Sequence, residues 1–133
     1  MSQTELEIAL KKHLHDAALG YDVAWPNQYL DETDEPFLVI QMLRGDVTRL
    51  GANGADPHFY TGIFQVTVMT RFGDSTRNAN EIADQVVALF PAGLRIGLTS
   101  GYCDIVRNPV VQAGYKDDGH WRTPVDVNYR AKF

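Results

Sequence analysis

The amino-acid sequence predicts an α+β fold in which two helices pack on one face of a mixed, mostly antiparallel sheet. Two segments repeat apolar residues every three or four positions, which is the period of an amphipathic helix. Other segments alternate apolar and polar residues, as half-buried strands do, and the longest alternation runs unbroken from Trp121 to Phe133. The predicted strands come in runs rather than between helices, which favours α+β over α/β.

The first predicted elements are a helix and a short strand. Apolar residues of segment 4–19 share one helical face, and Gly20 is a suitable residue for the end of the helix. Residues 21–25 predict a short strand, which Pro26 closes. Residues 31–36 contain four carboxylates and a proline, and we expect a solvated loop there.

Two strands joined by a loop are predicted next. Residues 37–43 are apolar on both faces apart from Gln41, which predicts a strand in the interior of the sheet. Residues 45–57 contain three glycines and little periodicity, which predicts a flexible loop. Residues 58–72 predict a long strand, and Gly62 within it indicates a bulge or a close approach by another backbone.

The second half of the chain predicts a helix followed by three strands. Segment 75–90 has the helical period, and strands are expected at 94–98, at 102–107 and at 121–133. The alternation of the last strand predicts one buried face and one solvent-exposed face. Residues 1–133 contain no internal repeat or linker, so we expect a single domain.

Composition and charge exclude several classes of protein. The 44% apolar and 22% charged residues are typical of a globular protein, and no segment has the length of an apolar membrane span. Residues 1–5 lack the basic and apolar blocks of a signal peptide, and the single cysteine fits a reducing cytoplasm. The formal charge of −5 weighs against a nucleic-acid-binding protein. We therefore expect neither a membrane partner nor a sequence-specific nucleic-acid partner.

The candidate metal ligands and nucleophiles all have simpler structural interpretations. His13 and His15 stand about 200° apart on a helix, so they cannot hold one ion. His13 lies in the apolar stripe, which predicts a packing role at the edge of the core. Cys103 alternates with Ile105 in a predicted strand, so we expect a small buried side chain rather than a nucleophile. The acidic run 31–35 lacks the glycine and the terminal glutamate of a calcium loop.

The turn and loop motifs add no chemistry. Residues 51–54 (GANG) lack the lysine and the following helix of a phosphate-binding loop. Residues 117–119 (DDG) predict a turn at the entry to the last strand. His58 and His120 flank predicted strands, and no pair of histidines has the helical ligand spacing. The sequence predicts no enzyme, no cofactor and no metal.

The remaining polar features are arginines near predicted strand ends and loops. Solubility alone would explain them, but the planar guanidinium group also pairs well with carboxylates of a neighbouring subunit. We predict a protein interface that includes four arginines and the two aspartates of the predicted turn. These candidate interface residues are Arg44, Arg49, Arg71, Arg77, Asp117 and Asp118.

We expect Arg44→Glu or Arg49→Glu to impair self-assembly while leaving the fold intact, because surface charges seldom change stability by more than about 0.5 kcal/mol. Light scattering and thermal unfolding measure the two effects separately. An equal loss of thermal stability would show that these side chains are not on the surface.

Short segments spread along the whole chain together resemble the sequence pattern of a known protein family. The segments are 23–27 (VAWPN), 37–39 (FLV), 60–68 (YTGIFQVTV), 88–91 (ALFP), 117–119 (DDG), Trp121, 124–125 (PV) and 129–131 (YRA). In order and spacing they resemble the phage tail terminator-like family, a group of small tail-completion proteins of long-tailed bacteriophages. These are similar in kind to the minor tail protein U of lambda-like phages.

The resemblance implies an α+β subunit that assembles with copies of itself into a ring, commonly of six, on the finished end of the tail tube. Such a ring stops the addition of tube subunits and offers the surface to which the head-completion or connector protein docks. The resemblance implies no catalytic or cofactor-binding residues. It places the protein in the tail of the virion, after assembly in the bacterial cytoplasm.

Two other functions fit the same sequence. A head-tail connector or neck adaptor would bind another phage protein without ending the tube. A small-ligand-binding or enzymatic α+β domain would hold a pocket lined by Trp25, Tyr102 or Trp121, although aromatic residues are also common in protein cores. A deep pocket with perturbed titratable groups would favour that last function.

Overall fold

Two helices and eight strands are present in the part of the chain that the computed structural model describes, which is residues 3–17, 22–24, 36–49, 58–71, 73, 76–99, 101–117 and 119–132. The helices are α1 (Gln3–Asp16) and α2 (Thr76–Leu89). The strands are β1 (Asp22–Ala24), β2 (Phe37–Arg49), β3 (His58–Arg71), β4 (Arg95–Leu98), β5 (Gly101–Ile105), β6 (Val110–Val111), β7 (Tyr115–Asp117) and β8 (His120–Lys132).

These strands form one sheet in the order β1-β2-β3-β8-β5-β4, and β6 and β7 also pair with β8. β1 runs parallel to β2, whereas every other pair is antiparallel. The long strands β3 and β8 lie side by side in the centre and pair along almost their whole lengths. The predicted mixed, mostly antiparallel sheet is confirmed.

Both helices pack on one face of the sheet, as the sequence predicts. Alternate residues of the central strands point to this face, where Phe64, Val66, Val125 and Val127 are fully buried. Burying a side chain of this size stabilises the fold by about 1.5–3 kcal/mol. The helices add Leu6, Leu10, Leu14, Ala79, Ile82, Ala83, Val86 and, just after α2, Phe90.

The predicted loop at 45–57 is wrong at its start. β2 continues to Arg49, and its last residues pair with the beginning of β3. The register shifts between Arg44 and Val47, so a bulge interrupts the ladder there. The bulge breaks the two-residue alternation, which is why the sequence pattern conceals the second part of this strand. Residues 50–57 lie outside the described residues.

The segment after β5 forms two short strands that the sequence does not predict. β6 and β7 follow β5 along the same side of β8, with extra residues between the three paired regions. A side chain at Gly114, between β6 and β7, would overlap the indole ring of Trp121. Asp117, the last residue of β7, pairs with His120, the first residue of β8, and Gly119 has a φ of 83°. The chain therefore reverses direction where the sequence predicts a turn, and Asp118 itself lies outside the described residues.

One end of the second face of β8 is less exposed to solvent than the alternation predicts. Pro124 is buried, as are Thr67 and Met69 on the same face of β3. Toward the end of β8, Arg130 is exposed. The face of the sheet opposite α1 and α2, which we refer to as the helix-free face, therefore has a covered end near Pro124 and an open end near Arg130.

The described part of α1 ends at Asp16, and Ala17 follows in a turn. The predicted helix end at Gly20 lies outside the described residues, as do the acidic run 31–35, the GANG segment 51–54 and Asp118.

Candidate functional site

The histidine of the α1 apolar stripe has a packing role, as predicted. The Nε2 atom of His13 lies 2.6 Å from the carbonyl oxygen of Leu89, and its ring centroid lies 5.0 Å from that of Phe90. His13 thus links α1 to the end of α2. His15 is exposed. Among the described residues, no group of three or more histidine, cysteine or carboxylate side chains could hold a metal ion.

Cys103 is a buried core residue, as predicted. Its side chain lies in the core beneath both helices, with no exposed surface. Burial raises the pKa of its thiol from 9.0 to about 12, and the neighbouring carboxylate of Asp104 adds to the rise. A thiol that stays protonated is a poor nucleophile, so the environment of Cys103 does not activate it.

We expect the Cys103 thiol to resist iodoacetamide at about pH 8 in the folded protein and to react after unfolding, because the thiolate is the nucleophile. The raised pKa also predicts a pH dependence of stability. Between pH 9.0 and about 12 the Cys103 thiol is ionised in the unfolded chain but protonated in the folded protein. The contribution of Cys103 to the free energy of unfolding is therefore constant below pH 9 and falls as the pH rises through this range.

Mass spectrometry after labelling tests the first expectation, and urea unfolding at pH 8 and pH 10 tests the second. Cys103→Ala is the control. It has no thiol to ionise, so its free energy of unfolding should fall less between pH 8 and pH 10 than that of the wild type. Rapid labelling of the folded protein would contradict the burial of Cys103.

The aromatic residues suggested for a ligand pocket do not converge. Tyr102 is opposite Lys132 at one end of β8, whereas Trp121 lies at the other end of the same strand. Along a strand these positions are roughly 35 Å apart. Tyr102 instead supports the guanidinium group of Arg95, whose central carbon lies 3.8 Å from the ring centroid. Trp25 lies outside the described residues.

The four arginines predicted as interface residues lie in different parts of the fold. Arg44 and Arg49 belong to β2, Arg71 ends β3, and Arg77 lies in the first turn of α2. Arg44, Arg71 and Arg77 are exposed. The Nε atom of Arg77 lies 3.0 Å from a carboxylate oxygen of Glu81 in the next helical turn, an exposed pair of small energetic value. These arginines do not form one site.

Two of the predicted interface residues do come together. Arg71 and Asp117 both pair with His120, from β3 and β7 respectively, so they lie in the same row at one end of the sheet. Arg44 lies on β2 toward the opposite end. Asp118 is outside the described residues.

One edge of the sheet exposes a run of large apolar side chains that sequence reasoning missed. Val106, Val110, Val111 and Tyr115 are between 39% and 48% exposed. β6 and β7 pair with β8 on one side, and no described strand pairs with their other side. We refer to residues 110–117, which span β6 and β7, as the β6–β7 edge. Unpaired backbone groups beside exposed apolar residues form a template for pairing with another chain.

The opposite edge of the sheet is formed by β1 and then by β2 itself. β1 pairs with the first three residues of β2, from Phe37 to Val39. Beyond them no described strand pairs with the outer side of β2, and Gln41, Leu43 and Arg44 are exposed. We refer to this side as the β1–β2 edge. The two edges differ from each other, so they can associate head to tail.

None of the described helices is long and apolar enough to cross a membrane.

Comparisons with known proteins point to phage virions. A family model described as phage tail terminator protein matches residues 5–129. A solved structure from the virion of a native gene transfer agent particle is 15% identical and aligns over 98% of this chain and 95% of that chain with a TM-score of 0.62, so the fold is shared. Another solved structure is 25% identical and aligns over 100% of this chain and 97% of that chain with a TM-score of 0.82. No curated protein matches the chain significantly.

Proposed function

This chain belongs to the phage tail terminator protein family, and we propose that it assembles as a closed ring on the end of a tail tube, stops tube growth and presents the surface to which the head docks. The observation that carries this proposal is the family match over residues 5–129, which is nearly the whole chain. The proposed partners are further copies of the chain, in a ring commonly of six, the tube protein, and the head-completion or connector protein. The proposed location is the virion tail, after assembly in the bacterial cytoplasm.

The two open edges of the sheet support self-association. In the proposed ring, the β6–β7 edge of one subunit contacts the β1–β2 edge of the next. A contact between unlike surfaces repeats from subunit to subunit, and it closes into a ring when the rotation at each contact is a whole fraction of a turn. Closure would cover the exposed valines of the β6–β7 edge and protect the unpaired strand from nonspecific pairing.

The proposed activity is one of shape and association rather than catalysis. The family is one of structural tail proteins. The sequence analysis considered His13 as a metal ligand and Cys103 as a nucleophile. Both side chains have packing roles in the fold. We therefore assign the function to surfaces and not to a reacting group.

Polymerisation of purified tube protein in the presence and absence of this chain tests the proposal. We expect tubes formed with the chain to stop at a shorter and narrower length distribution, because a capped end no longer adds subunits. Electron micrographs supply the lengths. Bovine serum albumin at the same concentration controls for nonspecific crowding.

Two results would contradict the proposal. The first is an unchanged length distribution together with no binding to tubes. The second is capture of a head-completion protein with no effect on tube length, which would identify a neck adaptor instead.

A further inference from the structure

The open end of the helix-free face carries four cationic residues that the sequence-based interface prediction does not include. Arg130 and Lys132 alternate with the buried residues Tyr129 and Ala131, so they lie on the face opposite the core. Arg95 reaches this face from β4, and Arg107 follows β5. We refer to Arg95, Arg107, Arg130 and Lys132 as the basic corner.

The guanidinium groups of the three arginines in the basic corner are held in position by neighbouring side chains. Arg95 donates from Nε and Nη2 to the two carboxylate oxygens of Asp104, at 2.7 and 3.0 Å. The guanidinium carbon of Arg130 lies 4.8 Å from the ring centroid of Phe59. With the Asn128 amide oriented to suit its neighbours, Arg107 donates to its oxygen from Nε at 3.0 Å and from Nη2 at 3.2 Å. Positioned cations lose less conformational entropy when they bind.

The charge of the basic corner is largely uncompensated. Within the described part of the chain, Arg95 alone of the four has an ion-pair partner, which is the carboxylate of Asp104. The formal charge of the whole chain is −5. The basic corner therefore has the opposite sign to the molecule that carries it, and such a patch attracts an acidic surface.

We propose that the basic corner docks onto an acidic protein surface at the end of the tail tube. This inference rests on the proposed function, which supplies the partner. In a ring closed through the sheet edges, the helix-free face stays uncovered by neighbouring subunits, so it is free for a second kind of contact.

The composition of the patch favours a protein partner over DNA. Arg95 and Arg130 lie beside the aromatic rings of Tyr102 and Phe59, and arginine and aromatic residues are enriched at protein interfaces. The formal charge of the whole chain is −5, whereas proteins that bind nucleic acid are typically basic.

Charge reversal at Arg130 or Arg107 tests the inference. Both side chains are exposed, so Arg130→Glu and Arg107→Glu should fold normally, and two variants guard against a folding defect in either one. Lys12→Glu is the matched control, because it makes the same change in charge at an exposed position on α1. The measurements are co-sedimentation with tail tubes, sedimentation velocity of the free protein, and fluorescence anisotropy with a labelled DNA duplex.

We expect each corner variant to bind tubes about tenfold more weakly than the wild type at roughly 0.1 M salt, with ring formation unchanged. Lys12→Glu should bind like the wild type, and added salt should weaken wild-type binding. The inference falls if both corner variants bind tubes normally, if they lose self-assembly instead, or if the corner binds the DNA duplex rather than tubes. Normal tube binding by the variants would contradict the docking role of the basic corner but not the proposed function. A wild-type protein that does not bind tubes would contradict both the docking role and the proposed function.

Discussion

Replacement of Gly62 by alanine is expected to destabilise the fold by about 3 kcal/mol, which is a large part of the stability of a domain of this size. Gly62 lies in β3 opposite Tyr129, and the tyrosine ring crosses the space where a side chain would be. A Cβ atom at this position would lie 2.5 Å from the Tyr129 hydroxyl oxygen and 2.7 Å from the Leu43 carbonyl oxygen. One of these contacts is with backbone, so relief requires movement of the sheet itself.

Thermal and urea unfolding measure this effect, with Gly97→Ala as the matched control. Gly97 is also a strand glycine, in β4, but nothing lies within 4 Å of a Cβ placed there. We expect Gly97→Ala to change stability by no more than about 0.5 kcal/mol. Equal stability of the two alanine variants would show that Tyr129 does not pack over Gly62.

The Tyr129 hydroxyl group provides a second check on this contact. It is buried, and it has no hydrogen-bond partner among the described residues. Tyr129→Phe should therefore be neutral or slightly stabilising, since it removes an unsatisfied polar group. In the Tyr129→Phe background, Gly62→Ala should cost less, although the contact with the Leu43 carbonyl oxygen remains.

The second large effect is expected at the β6–β7 edge, where Val110→Lys should abolish ring assembly. Val110 is 39% exposed, so the free subunit tolerates a lysine, whereas an interface would have to bury its charge. A loss of about 1.4 kcal/mol of binding free energy weakens one subunit contact tenfold. A closed ring contains this contact between every pair of neighbouring subunits, so the losses add up. Sedimentation velocity over a range of concentrations measures the assembly.

Ile8→Lys is the matched control for this variant. Ile8 is 55% exposed on α1, which belongs to neither the β6–β7 edge nor the β1–β2 edge, so the same change in chemistry there should leave assembly intact. Val111→Lys gives a second test of the edge. Normal assembly of both valine variants would exclude the β6–β7 edge from the subunit contact.

The sequence alone is sufficient to predict both helices and the long strands β3 and β8, because their patterns are local. The stripe of Leu6, Leu10 and Leu14 and the alternation of β8 each follow from the geometry of a single element. The packing of both helices on one face then follows, because that face is where the alternating apolar residues lie. These predictions do not depend on which strands pair with each other.

The errors lie where pairing with a distant strand overrides the local pattern. β2 crosses a bulge after Arg44 and continues, although Gly45 and the lost alternation indicate a loop. β6 and β7 are two and three residues long, and they are strands because β8 offers its edge to them. The burial of Pro124 on the supposedly solvated face also depends on the tertiary structure and has no sequence signal.

The surfaces were harder to predict than the fold for the same reason. The sequence singled out Arg44, Arg71 and Arg77 by their position near strand ends, and the structure places them in separate regions. The basic corner had one available signal, since Arg130 and Lys132 share a face of the terminal alternation. Arg95 and Arg107 join them only through the pairing of β4, β5 and β8.

Electron microscopy of tail tubes incubated with the purified protein is the decisive experiment for a ring at the tube end. We expect one ring of added density at a single end of each tube, and bare tube ends when Val110→Lys replaces the wild type. Protein scattered along the tube walls, or wild-type protein bound at neither end, would contradict it.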